Sequence, residues 1–522
     1  MASESSNAAP AAPSAPRPDD AAASAGRGVI FIGAAKMYFI LAGLVIDPGL
    51  SRLLGTYQYG AYQLISSFVS WINNVVVTGT IQAVSRETTA NQARAQNAKA
   101  TGLKMQLRVG VPIAIAYAAL APLWAYLLHD RSKTVLFALS GAIAAGYSIY
   151  AVLVGSANGT RAFHKQAGLD VTFATLRTIA LLGTAALGLG AFGAISGWVG
   201  AVVLITLIAF AWVGGPKGAE ADPVAPMTGY LGGIAAYLIL TNLFLFADTL
   251  LLKRFAAEWF HAHGHDLATA AHEADGQVGL YGAAQKLARL PYQLMIAVTF
   301  VVFPLVSQAT FDNDREKAAS YVRTTMRLSL IFTGALGTAL AAHPEPLIRI
   351  LFTGEYATAG GPALSALALG HVAFVLFIVG GTILNAAGHT RDAVVGAIVP
   401  IAVLAVSLWL TIPRLEPGRE MLFGAGVCTG VAMLLGALVT GAQLRHHFGV
   451  FLPFLTGIRV GLGAAAAIFV CRFVPKHGFV MAVVGALVAV IVYGVTLVLT
   501  GELGRADLER VRAIGNRRRR AA

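Results

Sequence analysis

Long hydrophobic runs, each long enough to form a whole helix, alternate with shorter polar segments along this chain. Apolar runs of about 20 residues, the length that crosses a bilayer as an α-helix, recur between residues 28 and 500. They predict fourteen membrane-spanning helices, at 28–46, 60–84, 105–128, 134–157, 172–190, 191–213, 229–250, 278–304, 323–342, 363–386, 391–412, 419–441, 452–473 and 478–500. Residues 1–27, rich in Ala, Ser and Pro, predict a disordered cytoplasmic tail, because they carry too little apolar surface to offset the entropy of ordering.

The composition indicates a polytopic, all-α membrane protein. Of the 522 residues, 57% are hydrophobic and 12% are charged, whereas soluble domains carry about 25% charged residues. The soluble-enzyme classes are therefore excluded. Cys428 and Cys471 lie inside apolar runs and predict neither a disulfide framework nor a metal site. The sequence contains no glycine-rich phosphate-binding loop, which argues against ATP hydrolysis, and no cofactor is predicted.

The net charge of +13 chiefly predicts orientation, because Lys and Arg mark the cytoplasmic side of membrane proteins. The terminal segments and the loops after even-numbered helices, with their flanks, hold 25 of the 38 Lys and Arg residues. The loops after odd-numbered helices hold 10, and Lys36, Lys286 and Arg289 lie inside helices. Both termini are therefore predicted to be cytoplasmic. The basic tail 501–522 favours contact with anionic lipid headgroups over nucleic-acid binding.

The two halves of the chain repeat a pattern of a short motif, a long helix and a Val-Ser pair. It runs from Gly60–Tyr62 to Val84–Ser85, and again from Gly279–Tyr281 to Val306–Ser307. Six helices separate the copies, so both halves insert with the same orientation. This parallel repeat predicts a cavity between two six-helix lobes. The predicted division is an N-lobe at 28–213, a linker at 214–228, a C-lobe at 229–441 and two further helices at 442–500.

The eighth predicted helix carries six polar residues within an arc of about 140°, plotted at 100° per residue: Tyr281, Gln285, Lys286, Arg289, Tyr292 and Gln293. Its two cations each cost at least about 2.5–3.5 kcal/mol against lipid, and they repel each other. They are expected to line a hydrated lumen that takes an anionic ligand. A salt bridge between these cations and Asp248 on the preceding helix is the alternative. The two interpretations are compatible if Asp248 pairs with the cations until the ligand binds.

The first predicted helix places Lys36, Gly43 and Asp47 within about 40° of one another, and Arg52 follows at its outer end. Lys36 lies deep in the span, where an ionisable residue is functional by default. Asp47 and Arg52 lie near the interface, where a pair at headgroup level is the alternative.

Eight short stretches recur at characteristic intervals: Leu50–Gly55, Tyr59–Tyr62, Asp248–Leu252, Gly279–Tyr281, Phe303–Ser307, Glu345–Ile348, Leu351–Tyr356 and Leu384–Gly388. Their order and spacing resemble the oligosaccharide/polysaccharide flippase family of the multidrug/oligosaccharidyl-lipid/polysaccharide exporter superfamily, to which lipid II flippases are related. The resemblance covers roughly residues 27–450.

The resemblance implies a V of two lobes with two extra C-terminal helices, and alternating access for a polyprenyl-diphosphate-linked sugar across the bacterial cytoplasmic (inner) membrane. It implies a transporter rather than an enzyme. The expected partners are the lipid-linked oligosaccharide, membrane lipids, and polysaccharide polymerase and export proteins. The expected lumen residues are Lys36, Arg52, Lys286, Arg289, Gln285 and Gln293, with Asp248 and Asp47 for charge pairing or coupling. A multidrug/cation antiporter of the same superfamily and a membrane sugar polymerase or transferase are the alternatives.

Overall fold

The computed structural model describes residues 18–504 except 296–301, 303–305, 307–308, 311, 313 and 477. Regular structure in this part of the chain is helical. The α-helices are α1 (Pro18–Ala90), α2 (Ala95–Met105), α3 (Val111–Ala119), α4 (Ala121–Leu127), α5 (Thr134–Gly159), α6 (Phe163–Ala186), α7 (Gly190–Val213), α8 (Ala225–Ala262), α9 (Leu267–Ala288), α10 (Arg315–Ala342), α11 (Pro344–Leu351), α12 (Gly354–Ala386), α13 (Thr390–Thr411), α14 (Arg419–Phe448), α15 (Phe454–Cys471) and α16 (Phe479–Leu499).

The first two predicted spans form one helix, α1, which is broken at Gly55. That residue has φ 68° and ψ 178°, a backbone conformation that glycine adopts readily because it lacks a Cβ. The loop predicted between these spans is therefore helical apart from this break. Helix α1 includes residues 18–27 of the predicted disordered tail, where an Ala-rich sequence has high helix propensity, and disorder of the tail stays a prediction. Residues 1–17 lie outside the described residues.

Several helices extend beyond the apolar runs that predicted them. The third predicted span begins at Ala95 and is interrupted by a π-helical turn, Gln106–Gly110, and by a 52° bend before α4. Helix α9 begins at Leu267 because the Asp266 carboxylate accepts hydrogen bonds from the backbone N–H groups of the first turn. The outer loop predicted before the eighth span therefore shrinks to residues 263–266. Hydropathy detects only the apolar part of a helix, so polar helix ends escape it.

The chain is an all-α polytopic membrane protein. Among the described residues, eleven helices are long and apolar enough to cross a membrane, or twelve if the bent α2–α4 segment is one span. One of the eleven, Phe31–Thr89, contains the second predicted span and all but the first three residues of the first. The eighth predicted span lies partly outside the described residues. The fourteen predicted helices are compatible with these observations.

Two bundles of helices contact each other chiefly through α1, α8 and α9. In the N-lobe, α1 packs on α5 and α6, and both α5 and α6 pack on α7. In the C-lobe, α12 contacts α9, α10 and α14, while α13 packs on α8 and α14. Helices α15 and α16 pack together and against α10. Residues 214–224 join α7 to α8, inside the predicted linker, and the domain boundaries themselves stay predictions.

Glu502 anchors the last two helices to the C-lobe. Its carboxylate accepts hydrogen bonds from Arg327 Nε at 2.8 Å, Thr456 Oγ1 at 2.9 Å and Arg459 Nη1 at 3.1 Å. Burial raises the pKa of the Glu502 carboxyl, but hydrogen bonds from Arg327, Arg459 and Thr456 outweigh burial and lower it. The stabilisation is therefore complete above the unfolded pKa of about 4.3 and is lost as the pH falls through the lower folded pKa.

We expect Glu502→Gln to destabilise the folded protein by about 1.5–3 kcal/mol, the value of a hydrogen bond to a charged group. The measurement is the thermal unfolding midpoint of the purified protein in detergent. Glu416→Gln is the matched control, because Glu416 is exposed. Equal midpoints for the two variants would contradict the anchoring role.

Candidate functional site

An ion pair between the lobes links α1 to α9. Lys286 Nζ lies 3.2 Å from Asp47 Oδ2, and the Asp47 carboxylate also accepts a hydrogen bond from the Tyr59 hydroxyl at 3.2 Å. The Asp47 side chain is 8% exposed and that of Lys286 is 30% exposed, so the ammonium keeps an accessible side. The alternative of an Asp47–Arg52 pair at headgroup level is wrong, because the Asp47 carboxylate faces the C-lobe. Arg52 is exposed and forms no ion pair within the described residues.

Arg289, one turn further along the chain from Lys286, is buried against α8. Its Nη2 donates a hydrogen bond to the Leu245 carbonyl oxygen at 2.7 Å, and its guanidinium lies 4.7 Å from the centre of the Phe246 ring. Its Nε has no hydrogen-bond partner in the described structure. A buried guanidinium with a free N–H retains the capacity to bind an anion.

Asp248 pairs with neither cation, so the predicted salt bridge to Lys286 and Arg289 is wrong. Its Oδ2 accepts hydrogen bonds from the Tyr281 hydroxyl at 3.0 Å and from Gln285 Nε2 at 2.6 Å. Its Oδ1 accepts the Thr249 backbone N–H at 2.8 Å. Because these neutral donors occupy both oxygens, Asp248 is a buried carboxylate satisfied without an ion pair. Gln285 is thereby committed to Asp248 rather than to an open lumen.

Lys36 forms its ion pair within the N-lobe. Its Nζ lies 2.8 Å from Asp170 Oδ2 on α6, and its side chain is 58% exposed. Lys36 and Asp47, which helical periodicity placed on one face, are therefore not in contact. Lys36 pairs with Asp170 and Asp47 pairs with Lys286. Gln293 is half-buried, and its side chain forms no hydrogen bond in the described part of the chain.

Arg177 on α6 is a half-buried cation that the sequence analysis missed. Its guanidinium lies 4.2 Å from the centre of the Trp198 ring, and its Nε has no hydrogen-bond partner in the described structure. The charges of Arg177 and Arg289 both act on the Lys286 ammonium. With the fifth span predicted to start at 172, Arg177 falls in the flank of a cytoplasmic loop. Helix α6 begins at Phe163, which places Arg177 well inside the helix. An earlier predicted start for this span would have identified Arg177 as a cation inside a helix.

A buried ionic cluster joins the two lobes at their predicted outer ends. This outer latch consists of Asp130 and Lys133 from the N-lobe and Lys253 and Asp275 from the C-lobe. Lys253 Nζ lies 2.9 Å from Asp130 and 2.7 Å from Asp275, while Lys133 Nζ lies 2.8 Å from Asp275 and 3.3 Å from Asp130. The four side chains are 0–14% exposed. Each ammonium therefore bridges a carboxylate of its own lobe and one of the other lobe.

The Asp130 carboxyl of the outer latch stays charged at physiological pH. Burial raises the pKa of the Asp130 carboxyl, but the Lys253 and Lys133 ammonium groups outweigh burial and hold that pKa at about 2. Because the folded pKa lies below the unfolded value of about 3.9, the stabilisation is complete above that pH and is lost as the pH falls toward 2. Protonation of Asp130 is therefore not a trigger for opening near neutral pH.

Close glycine packing brings α1 and α9 together beside the outer latch. A Cβ at Gly60 would overlap the backbone carbonyl of Asp275, and one at Gly279 would overlap that of Thr56. Both neighbours are main-chain atoms, which cannot rotate away. On the predicted inner half, Trp71 Nε1 donates to the Ile239 carbonyl at 3.2 Å and Asn74 Nδ2 donates to Asn242 Oδ1 at 2.9 Å. The lobes thus touch on both sides of the Lys286–Asp47 pair.

We expect Gly60→Val to prevent this outer contact without unfolding either lobe. Its side chain would separate α1 from α9, so the outer ends of the lobes would stay apart. The measurement is labelling by a membrane-impermeant maleimide of Thr56→Cys, introduced together with Cys428→Ser and Cys471→Ser, with and without Gly60→Val. Gly43→Val is the control, because a Cβ at Gly43 meets no atom within 4 Å. Equal labelling in all backgrounds would contradict the contact.

The chain resembles known proteins in sequence and in fold. The chain matches the family described as polysaccharide biosynthesis protein over residues 50–360. It is 32% identical over 213 residues to the probable lipid II flippase MurJ of Rhizobium meliloti (strain 1021). That match covers 38% of this chain and 38% of the length of the curated relative.

Solved structures resemble the whole fold at low sequence identity. The inward closed conformation of the lipid II flippase MurJ has a TM-score of 0.68 at 14% identity, covering 91% of this chain and 99% of that chain. The inward-facing conformation of a multidrug resistance MATE family transporter of the MOP superfamily has a TM-score of 0.59 at 15% identity, covering 80% and 98%. At these identities the likeness establishes a shared fold.

Proposed function

Because this chain belongs to the family of polysaccharide biosynthesis proteins, we propose that it is a flippase for a polyprenyl-diphosphate-linked oligosaccharide. It moves this lipid across the bacterial cytoplasmic membrane by alternating access, for surface polysaccharide biosynthesis. The curated relative is a probable lipid II flippase, which supports a lipid-linked substrate of this kind. The lipid is transported without chemical conversion.

The observation that carries the proposal is the convergence of cations between the lobes. Arg177 and Arg289 both act electrostatically on Lys286, and among the described residues only Asp47 forms an ion pair with any of these three. The excess positive charge suits a ligand with several negative charges. A diphosphate is costly to bring through hydrocarbon, and fixed cations replace part of its lost hydration while the prenyl chain stays in lipid.

Substrate entry changes the balance of charge at the Lys286–Asp47 pair. A diphosphate competes with Asp47 for the Lys286 ammonium and offers acceptors to the free N–H groups of Arg177 and Arg289. Lys36, Arg52 and Gln293 form no hydrogen bond or ion pair with Lys286 or Asp47 in the described structure, and they interact with the sugar or with headgroups along the path. Loss of the inter-lobe pair weakens the contact between α1 and α9, and opening of the outer latch then exposes the substrate to the outer face.

Orientation follows from the distribution of Lys and Arg. Both termini face the cytoplasm by the positive-inside rule, so the outer latch lies on the side where the sugar is released. Polysaccharide polymerase and export proteins, which use the translocated sugar, are the partners that this direction implies. Asp248, which is buried, forms no ion pair in the described structure and feels the charge of Arg289, is the residue proposed to couple transport to a cation or proton.

A multidrug/cation antiporter is the second candidate, because its fold is shared and Asp248 is a buried carboxylate of the kind that cationic substrates require. The two functions separate in proteoliposomes containing the purified chain. The flippase exposes a polyprenyl-diphosphate-linked oligosaccharide, initially in the inner leaflet, to a membrane-impermeant glycosidase added outside. We expect protein-dependent exposure of this lipid and no protein-dependent movement of a lipophilic cationic dye. Dye transport without lipid exposure would overturn the proposal in favour of the antiporter.

A further inference from the structure

A separate cluster of ligand-type side chains lies at the predicted cytoplasmic end of the C-lobe. His389 precedes α13, Asp392 lies in the first turn of α13, and His447 lies in the last turn of α14. One ligand atom from each residue lies within 4.8 Å of those of the other two. In the described part of the chain, this is the single group of three His, Cys, Asp or Glu residues that meets this spacing.

The geometry of the cluster brings two imidazoles and a carboxylate to one point. His447 Nε2 lies 2.7 Å from Asp392 Oδ2. The rings of His389 and His447 are stacked, with centroids 3.7 Å apart and planes inclined by 17°. The side chains of His447 and Asp392 are 19% and 41% exposed. The group is therefore accessible to an ion from the aqueous side, and the stacked rings of His389 and His447 must rotate apart to ligate one ion.

The backbone around the cluster is fixed independently of the three side chains. Gln443 Nε2 donates a hydrogen bond to the Asp392 carbonyl oxygen at 2.7 Å, and the His389 backbone N–H donates to the Leu384 carbonyl at 2.8 Å. The Gln443 side chain also packs closely against Gly396. Outer contacts of this kind hold the ligands of a metal site in place before the metal binds.

We propose that His389, Asp392 and His447 form a binding site for a divalent transition-metal ion, with zinc favoured by the ligand set. Two imidazole nitrogens and a carboxylate oxygen are ligands that zinc accepts, and three protein ligands leave a fourth position for water. The ion joins α13 to α14 at the end of the C-lobe remote from the outer latch. This site is independent of the proposed transport function.

The test is zinc binding by the purified full-length chain after removal of metal with a chelator. We expect one zinc ion per chain, measured by calorimetry, and a cobalt complex with visible absorption that zinc abolishes. His447→Ala and His389→Ala should each weaken zinc binding at least about 100-fold, and Gln443→Leu, which removes an outer contact, about 10-fold.

The control is the double variant His261→Ala, His263→Ala on the opposite side of the molecule, which should bind zinc as the wild type does. Unchanged thermal unfolding of the metal-free variants verifies that each is folded. No zinc binding by the wild type at 100-fold molar excess would overturn the proposal. Binding unaffected by His389→Ala and His447→Ala, or abolished by the control substitutions, would also overturn it.

Discussion

Replacing Lys253 with methionine is expected to destabilise the closed outer face by about 3–5 kcal/mol, the cost of removing one partner from a buried ion pair. Lys253 is fully buried between Asp130 and Asp275. Without it, two buried carboxylates of opposite lobes share the single ammonium of Lys133. At about 1.4 kcal/mol per factor of ten, the equilibrium shifts toward outer opening by about two to four orders of magnitude.

The measurement is the distance between spin labels at Arg131→Cys in the N-lobe and Ala268→Cys in the C-lobe, both exposed positions. Cys428 and Cys471, which are buried, are replaced by serine. The parent should give one short distance, and Lys253→Met should add a longer one. Lys476→Met is the matched control, because Lys476 is exposed on the same predicted side.

A charge-balanced variant separates the latch from a general loss of stability. Lys253→Met with Asp130→Asn leaves one carboxylate, Asp275 of the C-lobe, 2.8 Å from one ammonium, Lys133 of the N-lobe. It should therefore return most of the population to the short distance, because no carboxylate is left in excess. An unchanged distance in Lys253→Met would contradict the latch, and so would an equal opening in the charge-balanced variant.

Loss of transport is the second large effect, expected for Lys286→Ala combined with Arg289→Ala. Each cation offers charge-assisted hydrogen bonds worth about 1.5–3 kcal/mol. Losing both should lower transport by at least 100-fold, at about 1.4 kcal/mol per factor of ten. The measurement is surface polysaccharide in cells that depend on the variant, with its membrane level checked by immunoblot. Arg414→Ala is the control, since Arg414 is exposed at a predicted outer loop. Normal polysaccharide in the double variant would contradict the role of both cations.

Arg177 offers a distinct check on the same set of cations. It belongs to the N-lobe, whereas Lys286 and Arg289 belong to the C-lobe. If the diphosphate is held between the lobes, Arg177→Gln should reduce transport by about 10-fold or more, the effect of one charge-assisted hydrogen bond. Wild-type transport in this variant would restrict the anion site to the C-lobe.

Local sequence patterns predicted the helices and the family well. The boundary between the fifth and sixth helices lies at Leu187–Leu189, close to its predicted place at Leu189–Ala191. The resemblance to polysaccharide flippases is confirmed by the family match and the shared fold. Both predictions depend on local features of the sequence, namely the length of each apolar run and the order of short motifs along the chain.

Partnerships between distant segments could not be predicted in the same way. Helical periodicity placed Lys286 and Arg289 on one face, but it could not identify Asp47 as the partner of Lys286, since that contact depends on the packing of the lobes. The outer latch was missed for the same reason. Lys253 and Asp130 are separated by 123 positions in the chain. When charges are counted one loop at a time, these two residues indicate only the orientation of the chain in the membrane.

The most direct test of the central claim compares translocation rates in one vesicle preparation. Wild-type protein, the Lys286→Ala, Arg289→Ala variant and a charge-conserving Lys286→Arg, Arg289→Lys variant are reconstituted at equal density. The rate at which polyprenyl-diphosphate-linked oligosaccharide becomes accessible to external glycosidase is then measured. The lumen-cation mechanism predicts transport by the wild type, partial transport by the charge-conserving variant and at least about a 100-fold loss in the alanine variant. Equal rates in the wild type and the alanine variant would contradict it.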